Sequence, residues 1–500
     1  MKLNQNKAPL LHKLNQFKDS NPISFHVPGH KNGTVFPDFA RTSFDSILSI
    51  DYTELPGLDD LHAPTEAIAE AEELAADFFQ ADHTFFLVGG STAGNLAMIL
   101  ATCTVGDKII VQRNCHKSIM NGLELSGAKP VFIAPVYDEA VHRYTNPNIA
   151  TLEEALKKHP DAKAVVLTYP DYFGKTYDLK QMVDLAHSYR LPVLVDEAHG
   201  VHLSLGDPFP SSALTLGADV VVQSAHKMAP AMTMASFLHF QSSLVSKEKI
   251  AHYLQIIQSS SPSYPLMASL DVARYYLATL SQKVKEATMQ SVSAVRDIMS
   301  NFKEWDILPI TEKDDPLKIT FHVKHQNSAK EIATLFEKEQ IYPELVTHNQ
   351  ILFIHGLSPF KDIPRLNSVV NRVTKQLIGE LGTTENVQHT NNVNVLLNGA
   401  HCKKVANHAT IDITIQNIQL IQELELSYQT MNQLQYVQVP FMQGIGEIAA
   451  EAVIPYPPGI PLILKGERIT AAHVEIIEQL QEKGVRIQQR DQGIKIFGTR

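Results

Sequence analysis

Four short stretches hold residues whose types and spacing can do chemistry. The first is Gln223-Ser224-Ala225-His226-Lys227-Met228. Lys227 follows the apolar, β-branched run ADVVVQS, which reads as a buried strand. Ligands of open α/β sheets gather beyond the carboxyl ends of strands, so an amine placed there can meet an aldehyde cofactor. Lysine is ordinarily a solvated surface residue. Here Ser224 and His226 offer donors to a phosphate, and the small apolar residues after Met228 predict a buried setting. The second stretch is LPVLVDEAHG, in which a core strand ends at Asp196 and His199 follows. A carboxylate at a strand end can hold a pyridine nitrogen protonated, which makes the ring an electron sink. The alternatives are an Asp opening a turn, or an Asp–His metal pair that no other ligand cluster supports.

The third stretch, LVGGSTAGN, runs from a strand through Gly89-Gly90 into a helix beginning near Ser91-Thr92. Free N–H groups at the helix start, with two hydroxyls, form an anion cradle. It has neither the Lys-Ser/Thr ending of a Walker loop nor GxGxxG spacing, and alone it equals a capped glycine turn. The fourth, RNCHKS, sets His116 just after the strand KIIVQ, where an imidazole can stack on a flat ring; a lone His is more often structural. Together the four give a phosphate loop, a ring stacker, an acidic strand end and a lysine, in that order. This set fits pyridoxal 5'-phosphate (PLP), and no metal is expected.

Short apolar runs (TFFLV, KIIVQ, PVFIA, AKAVVLTY, LPVLVDE, ADVVVQS) alternate with helical segments such as EAIAEAEELAADFF and LKQMVDLAHSYR. That alternation predicts an α/β fold with a mainly parallel sheet covered on both faces. We divide the chain into an N-terminal arm with substrate-side loops (1–65), a PLP-binding large domain (66–281), a smaller α/β domain (282–382), an Asn/Thr-rich linker (383–401) and a C-terminal domain (402–500). The last contains the Pro-rich IPYPPGIP, which must be an extended loop.

The formal net charge of -10 argues against nucleic-acid and anionic-membrane partners, which need a basic surface. Cys103, Cys115 and Cys402 lack CxxC spacing, which argues against a disulfide framework or a zinc site. The polar N-terminus and the lack of a membrane-length apolar run give a cytoplasmic expectation.

The stretches FHVPGHKNG, ELPGLDDLHAPT, FFLVGGSTAGN, HKS at 116–118, DEAHG, QSAHKMAPAMTMA, SPSYPLMASLD and IPYPPGIP, spread from about His26 to Gly466, resemble the ornithine/lysine/arginine decarboxylase family of fold-type I PLP enzymes. The chain looks like the short Gram-positive-type form without the N-terminal flavodoxin-like wing. Thr65-Glu66 departs from the pattern after LHAP, where a glycine is frequent. The resemblance implies that Lys227 is the Schiff-base lysine and Asp196 the partner of the pyridinium nitrogen. It implies that His116 stacks on the ring, that His199 lies against the cofactor, and that Ser91, Thr92, Ser224 and His226 hold the phosphate. It also implies a homodimer, or a dimer-based oligomer, with active sites at the interface.

The expected reaction is decarboxylation of a basic L-amino acid, arginine to agmatine ahead of lysine to cadaverine or ornithine to putrescine. The core motifs lack an arginine placed to hold a substrate carboxylate, which favours decarboxylation over transamination. His116, His199 and Lys227 are the candidate proton donors to Cα. Asp59, Asp60, Asp171 and Glu451 sit in loops that could face the cationic side chain, and each is equally read as a solvated loop carboxylate. The rival expectations are another fold-type I enzyme (an aminotransferase or an aldolase-like lyase), a catalytically inactive PLP-fold binding protein, and a nucleotide binder using the Gly-Ser-Thr loop.

Overall fold

The apolar runs become the strands of one large sheet. In a computed structural model, the described residues are 3–300, 302–324, 328–385, 420–456, 461–482, 486–487 and 493–498. The large unit contributes β1 (His83–Leu87), β2 (Lys108–Gln112), β3 (Lys129–Ile133), the hairpin β4 (Pro135–Asp138) and β5 (Arg143–Pro147), β6 (Val165–Thr168), β7 (Val193–Asp196), β8 (Val220–Gln223) and β9 (Ser236–Phe240). The eight-stranded sheet has the order β1-β9-β8-β7-β6-β2-β3, closed at its far edge by β14 (Ile421–Glu423). Strands β8, β7, β6, β2 and β3 run parallel. β9 lies antiparallel to both β1 and β8, and β14 antiparallel to β3.

Residues along the central strands alternate between two cores. Val165, Leu167, Val193, Val195 and Val221 enter one apolar cluster, while Val166, Leu194, Val220 and Val222 enter the other. This two-sided burial is why the runs read as continuously hydrophobic. Helices cover both faces, including Gly90–Thr102, Lys117–Ser126 and Leu179–Ser188. The helix Gly90–Thr102 sits tight on the sheet because Gly94 has no side chain. A Cβ there would stand 2.8 Å from Leu87 and 2.9 Å from Val222.

The long helix expected from Gln282 spans Gln282–Ser300 and leads to a four-stranded sheet of β10 (Trp305–Ile307), β11 (Lys318–Val323), β12 (Leu345–Val346) and β13 (Gln350–Ile354). All its pairings are antiparallel, in contrast to the large sheet. It has its own core around Trp305, Phe321, Phe336 and Phe353, with Trp305 and Phe321 stacked at 4.9 Å. The helix Ile363–Glu385 runs into the start of the expected linker. The remainder of that linker, Cys402 and residues 457–460 of the Pro-rich segment lie outside the described residues. The C-terminal segment forms a further small core around Val453, Ile463, Ile477 and Ile494.

Candidate active site

The four stretches converge at the carboxyl ends of the strands. Ser91 lies in the first turn of the helix after β1, His116 follows β2, Asp196 is the last residue of β7, and Ser224 to Lys227 follow β8. Each strand delivers its polar residue where the apolar run stops, at the carboxyl end where ligands of open α/β sheets gather.

Three hydroxyls meet at the glycine turn. Ser91 Oγ lies 2.7 Å from Ser224 Oγ and 3.3 Å from Ser236 Oγ, beside the N–H groups of the helix Gly90–Thr102. Thr92 is exposed in the same turn. His226 Nδ1 is 3.1 Å from the Ala235 carbonyl, which anchors its ring to the chain entering β9.

Asp196 is buried and accepts a 2.9 Å hydrogen bond from Asn95 Nδ2. Asn95 also donates to Ser118 Oγ at 2.9 Å, and Ser118 Oγ lies 2.8 Å from His116 Nδ1. His116 caps the helix Lys117–Ser126 by accepting from Ser118 N, and its ring remains open to solvent. Partial desolvation lowers its pKa, opposed by Asp196 and reinforced by Lys227 and Lys117.

Lys227 Nζ lies 3.0 Å from His199 Nε2. Burial lowers the pKa of Lys227, against the opposing fields of Asp196 and Glu344. His199 is buried, and desolvation followed by the fields of Lys227 and Lys318 drives its pKa well down, so the ring is neutral. Its other nitrogen, Nδ1, lies 3.2 Å from Lys318 Nζ of the small sheet. The Tyr172 ring packs 4.2 Å from the His199 ring, and Tyr172 Oη donates to Glu344 Oε1 at 2.7 Å.

Asn95, Ser118, Ser236, Tyr172, Lys318 and Glu344 therefore join the residues expected from sequence. Asn95 and Ser118 lay inside the stretches already singled out; Lys318 and Glu344 come from a distant segment with no signature. The four loop carboxylates named from sequence as candidates to face a cationic side chain have partners within the chain. Asp59 accepts from the backbone N–H groups of Thr65, Glu66, Ile68 and Ala69, fixing the start of the helix Ala67–Phe79. Asp60 accepts from His62 N. Asp171 holds Arg143 and the N–H groups of Phe173 and Lys175. Glu451 pairs with Lys495.

Behind the site, Arg113 of the segment leading from β2 to His116 forms a buried 2.7 Å ion pair with Glu467 and donates to the carbonyls of Pro461 and Leu462. Among the described residues no group of three or more His, Cys, Asp or Glu could hold a metal, and no helix is long and apolar enough to cross a membrane.

The family model for the Orn/Lys/Arg decarboxylase major domain matches residues 8–315, and that for the C-terminal domain of the same family matches residues 412–487. The chain is 42% identical to the uncharacterized protein YaaO of Bacillus subtilis, over 95% of this chain and 94% of that protein. It is 35% identical to an arginine decarboxylase of the same organism, over 97% and 96%. The lysine decarboxylase LdcF of Francisella novicida superposes with a TM-score of 0.76 at 19% identity, covering 98% of this chain and 81% of that one, which shows a shared fold. The chain belongs to the Orn/Lys/Arg decarboxylase family.

Proposed function

We propose that this chain uses PLP to decarboxylate a basic L-amino acid, with arginine the first substrate to test. The observation that carries the reading is a buried carboxylate, Asp196, whose field reaches a desolvated amine, Lys227, at the carboxyl ends of two adjacent central strands, beside a hydroxyl cradle.

The residues present fit the cofactor. Ser91, Ser224 and Ser236, with the helix N–H groups, suit a phosphate; Thr92 and His226 stand next to them. Asp196, oriented by Asn95, suits a protonated pyridine nitrogen, and Lys227 is the amine presented to the aldehyde. When bound, PLP supplies the electron sink that draws bonding electrons away from the substrate Cα.

The chain's own residues then direct which Cα bond breaks. Arg113 is committed to Glu467, and Arg143 to Asp171 and the face of Phe173 at 4.2 Å. Neither is free to grip the substrate carboxylate, which favours its loss as carbon dioxide over transamination. Glu344, whose field reaches both Lys227 and Lys318, suits the distal cation of the substrate. His116, His199 and Lys227 border the place where a proton must return to Cα. The homodimer with interface sites, the cytoplasmic location and the division at 66–281, 282–382 and 402–500 belong to this proposal; the separate cores around Phe321 and Val453 support the division.

The test is the purified protein with PLP and arginine, lysine or ornithine in turn, measuring carbon dioxide and the amine formed. Agmatine with stoichiometric carbon dioxide supports the full reading. Cadaverine or putrescine supports the class and corrects the substrate. A keto acid overturns it in favour of an aminotransferase.

A further inference from the structure

The loop after β6 already holds one guanidinium of the chain itself. Arg143, the first residue of β5, lays its guanidinium carbon 4.2 Å from the centre of the Phe173 ring, with Nε and Nη2 each 3.3 Å from Asp171 Oδ2. An aromatic face beside a carboxylate suits this ion, which is planar, stacks on rings and sheds water more readily than an ammonium. Tyr172, the residue between those two, sets a second ring beside a second carboxylate. Its Oη donates to Glu344 Oε1 at 2.7 Å.

We propose that Tyr172 is a specificity-determining residue: its ring and the Glu344 carboxylate form a slot for the planar guanidinium of arginine, in preference to the ammonium of lysine or ornithine. This rests on the reading of the site as a decarboxylase of basic amino acids, and names the member of that class.

The slot stands where a substrate side chain must pass. The Tyr172 ring centre lies 5.7 Å from Lys227 Nζ and 4.2 Å from the His199 ring centre. A substrate amine has to come to the position of Lys227 Nζ, so its side chain starts within reach of the Tyr172 face. Glu344 is exposed and Tyr172 half-buried, so the slot opens to water. Glu344 Oε1 accepts from Tyr172, which leaves Oε2 to face the cation. An ammonium in so wet a slot keeps much of its hydration and gains little from one exposed ion pair. A guanidinium adds the stacking contact, which needs no dry surroundings. Arginine also has the longest side chain of the three.

The two halves of the slot come from different units, and the loop that carries Tyr172 is fastened to the unit that carries Glu344. Gly174 has φ +82°, and a Cβ there would stand 2.5 Å from Lys318 Cγ and 2.8 Å from Asp315 Cβ. Asp315 N donates to the Gly174 carbonyl at 2.8 Å, and Thr176 N donates to Asp314 Oδ1 at 2.9 Å. Within the loop, Asp171 Oδ1 accepts from Phe173 N at 2.9 Å and Lys175 N at 2.7 Å, which fixes the turn around Tyr172. The ring therefore meets Glu344 in one defined place, as discrimination between two cations requires.

The test uses the full-length enzyme with PLP and measures kcat and KM for arginine, lysine and ornithine in the wild type, Tyr172→Leu and Tyr172→Phe. Loss of the ring in Tyr172→Leu should raise KM for arginine about tenfold and change KM for lysine and ornithine far less. Tyr172→Phe keeps the ring and should retain most of the preference for arginine. Parallel changes for all three substrates in Tyr172→Leu would mean a merely structural role and overturn the slot. Tyr172→Phe losing as much selectivity as Tyr172→Leu would overturn the role of the ring. A wild type that prefers lysine or ornithine overturns the slot and leaves the decarboxylase reading standing. A wild type that releases carbon dioxide from none of the three overturns that reading, and the slot with it. Titration of the wild-type holoenzyme with agmatine and with cadaverine, followed by the cofactor's absorbance, needs no variant. Both carry a primary amine, and they differ in the distal cation. Agmatine should bind at least about tenfold more tightly, and equal binding contradicts the proposal.

Discussion

Asn95 Nδ2 donates to Asp196 Oδ2 at 2.9 Å, joining the helix Gly90–Thr102 to the end of a strand 101 residues away in sequence. Its second bond, to Ser118, ties the same amide to the turn that carries His116. One side chain thus sets the orientation of the carboxylate and, through Ser118, of the imidazole. Asn95→Ala should leave Asp196 with one charge-assisted bond fewer, a loss of about 1.5–3 kcal/mol. PLP affinity, titrated by the change in protein fluorescence, should fall at least about tenfold. Unchanged affinity would mean that Asp196 needs no such support.

Glu344 is the carboxylate outside the large unit whose field reaches both lysines of the site. Glu344→Gln keeps the Tyr172 hydrogen bond possible while removing the charge. If Glu344 receives the distal cation, KM for the basic amino acid should rise by roughly tenfold with kcat much less affected, as expected for loss of a partly solvated ion pair. A fall in kcat at constant KM would place Glu344 in the chemistry instead.

Glu72 predicts a pH-dependent stability. It is 2% exposed, accepts from Phe86 N at 2.9 Å, and burial pushes its pKa up to about 8. Its folded-state pKa exceeds its unfolded one, so the folded protein binds the extra proton. Its contribution is therefore greatest at or below the ordinary carboxylate range and is lost as pH rises toward about 8. Glu72→Gln, which mimics the protonated form, should flatten that part of the curve of Tm against pH. An unaltered curve would assign the slope to other groups.

Arg113 and Glu467 join the segment before His116 to the C-terminal segment, and the pair is buried on both sides. Glu467→Ala strands a buried guanidinium and should cost about 3–5 kcal/mol, seen as a lower Tm. Replacing both residues with apolar ones should recover part of that loss. A double variant as unstable as Glu467→Ala would show that the geometry of the pair matters beyond its charge.

Much of the site was legible because its residues sit where buried strands end, and a polar residue at the end of a β-branched run is visible in sequence. Lys227, Asp196, His116 and Ser91 all follow that rule. What could not be read depends on tertiary contact. Nothing local in LKITFHV distinguishes Lys318 from a surface lysine at a strand start; only the approach of β11 to the loop at Gly174 buries it. Likewise, β14 joins the large sheet from a segment far along the chain, and β9 enters it antiparallel, outcomes of pairing that strand propensity does not encode. The intrachain partners of Asp59, Asp60 and Asp171, set by turn and ion-pair geometry, were likewise not legible in the sequence.

The central claim is that Lys227 is the amine that carries the cofactor. The most direct measurement is borohydride reduction of the purified holoenzyme followed by peptide mass mapping, with Lys227→Ala as the parallel sample. The account predicts a pyridoxyl group on the peptide containing Lys227, and loss of both that group and the cofactor's visible absorbance in the variant. A label on Lys318 or any other lysine, or an unchanged spectrum in Lys227→Ala, would contradict it.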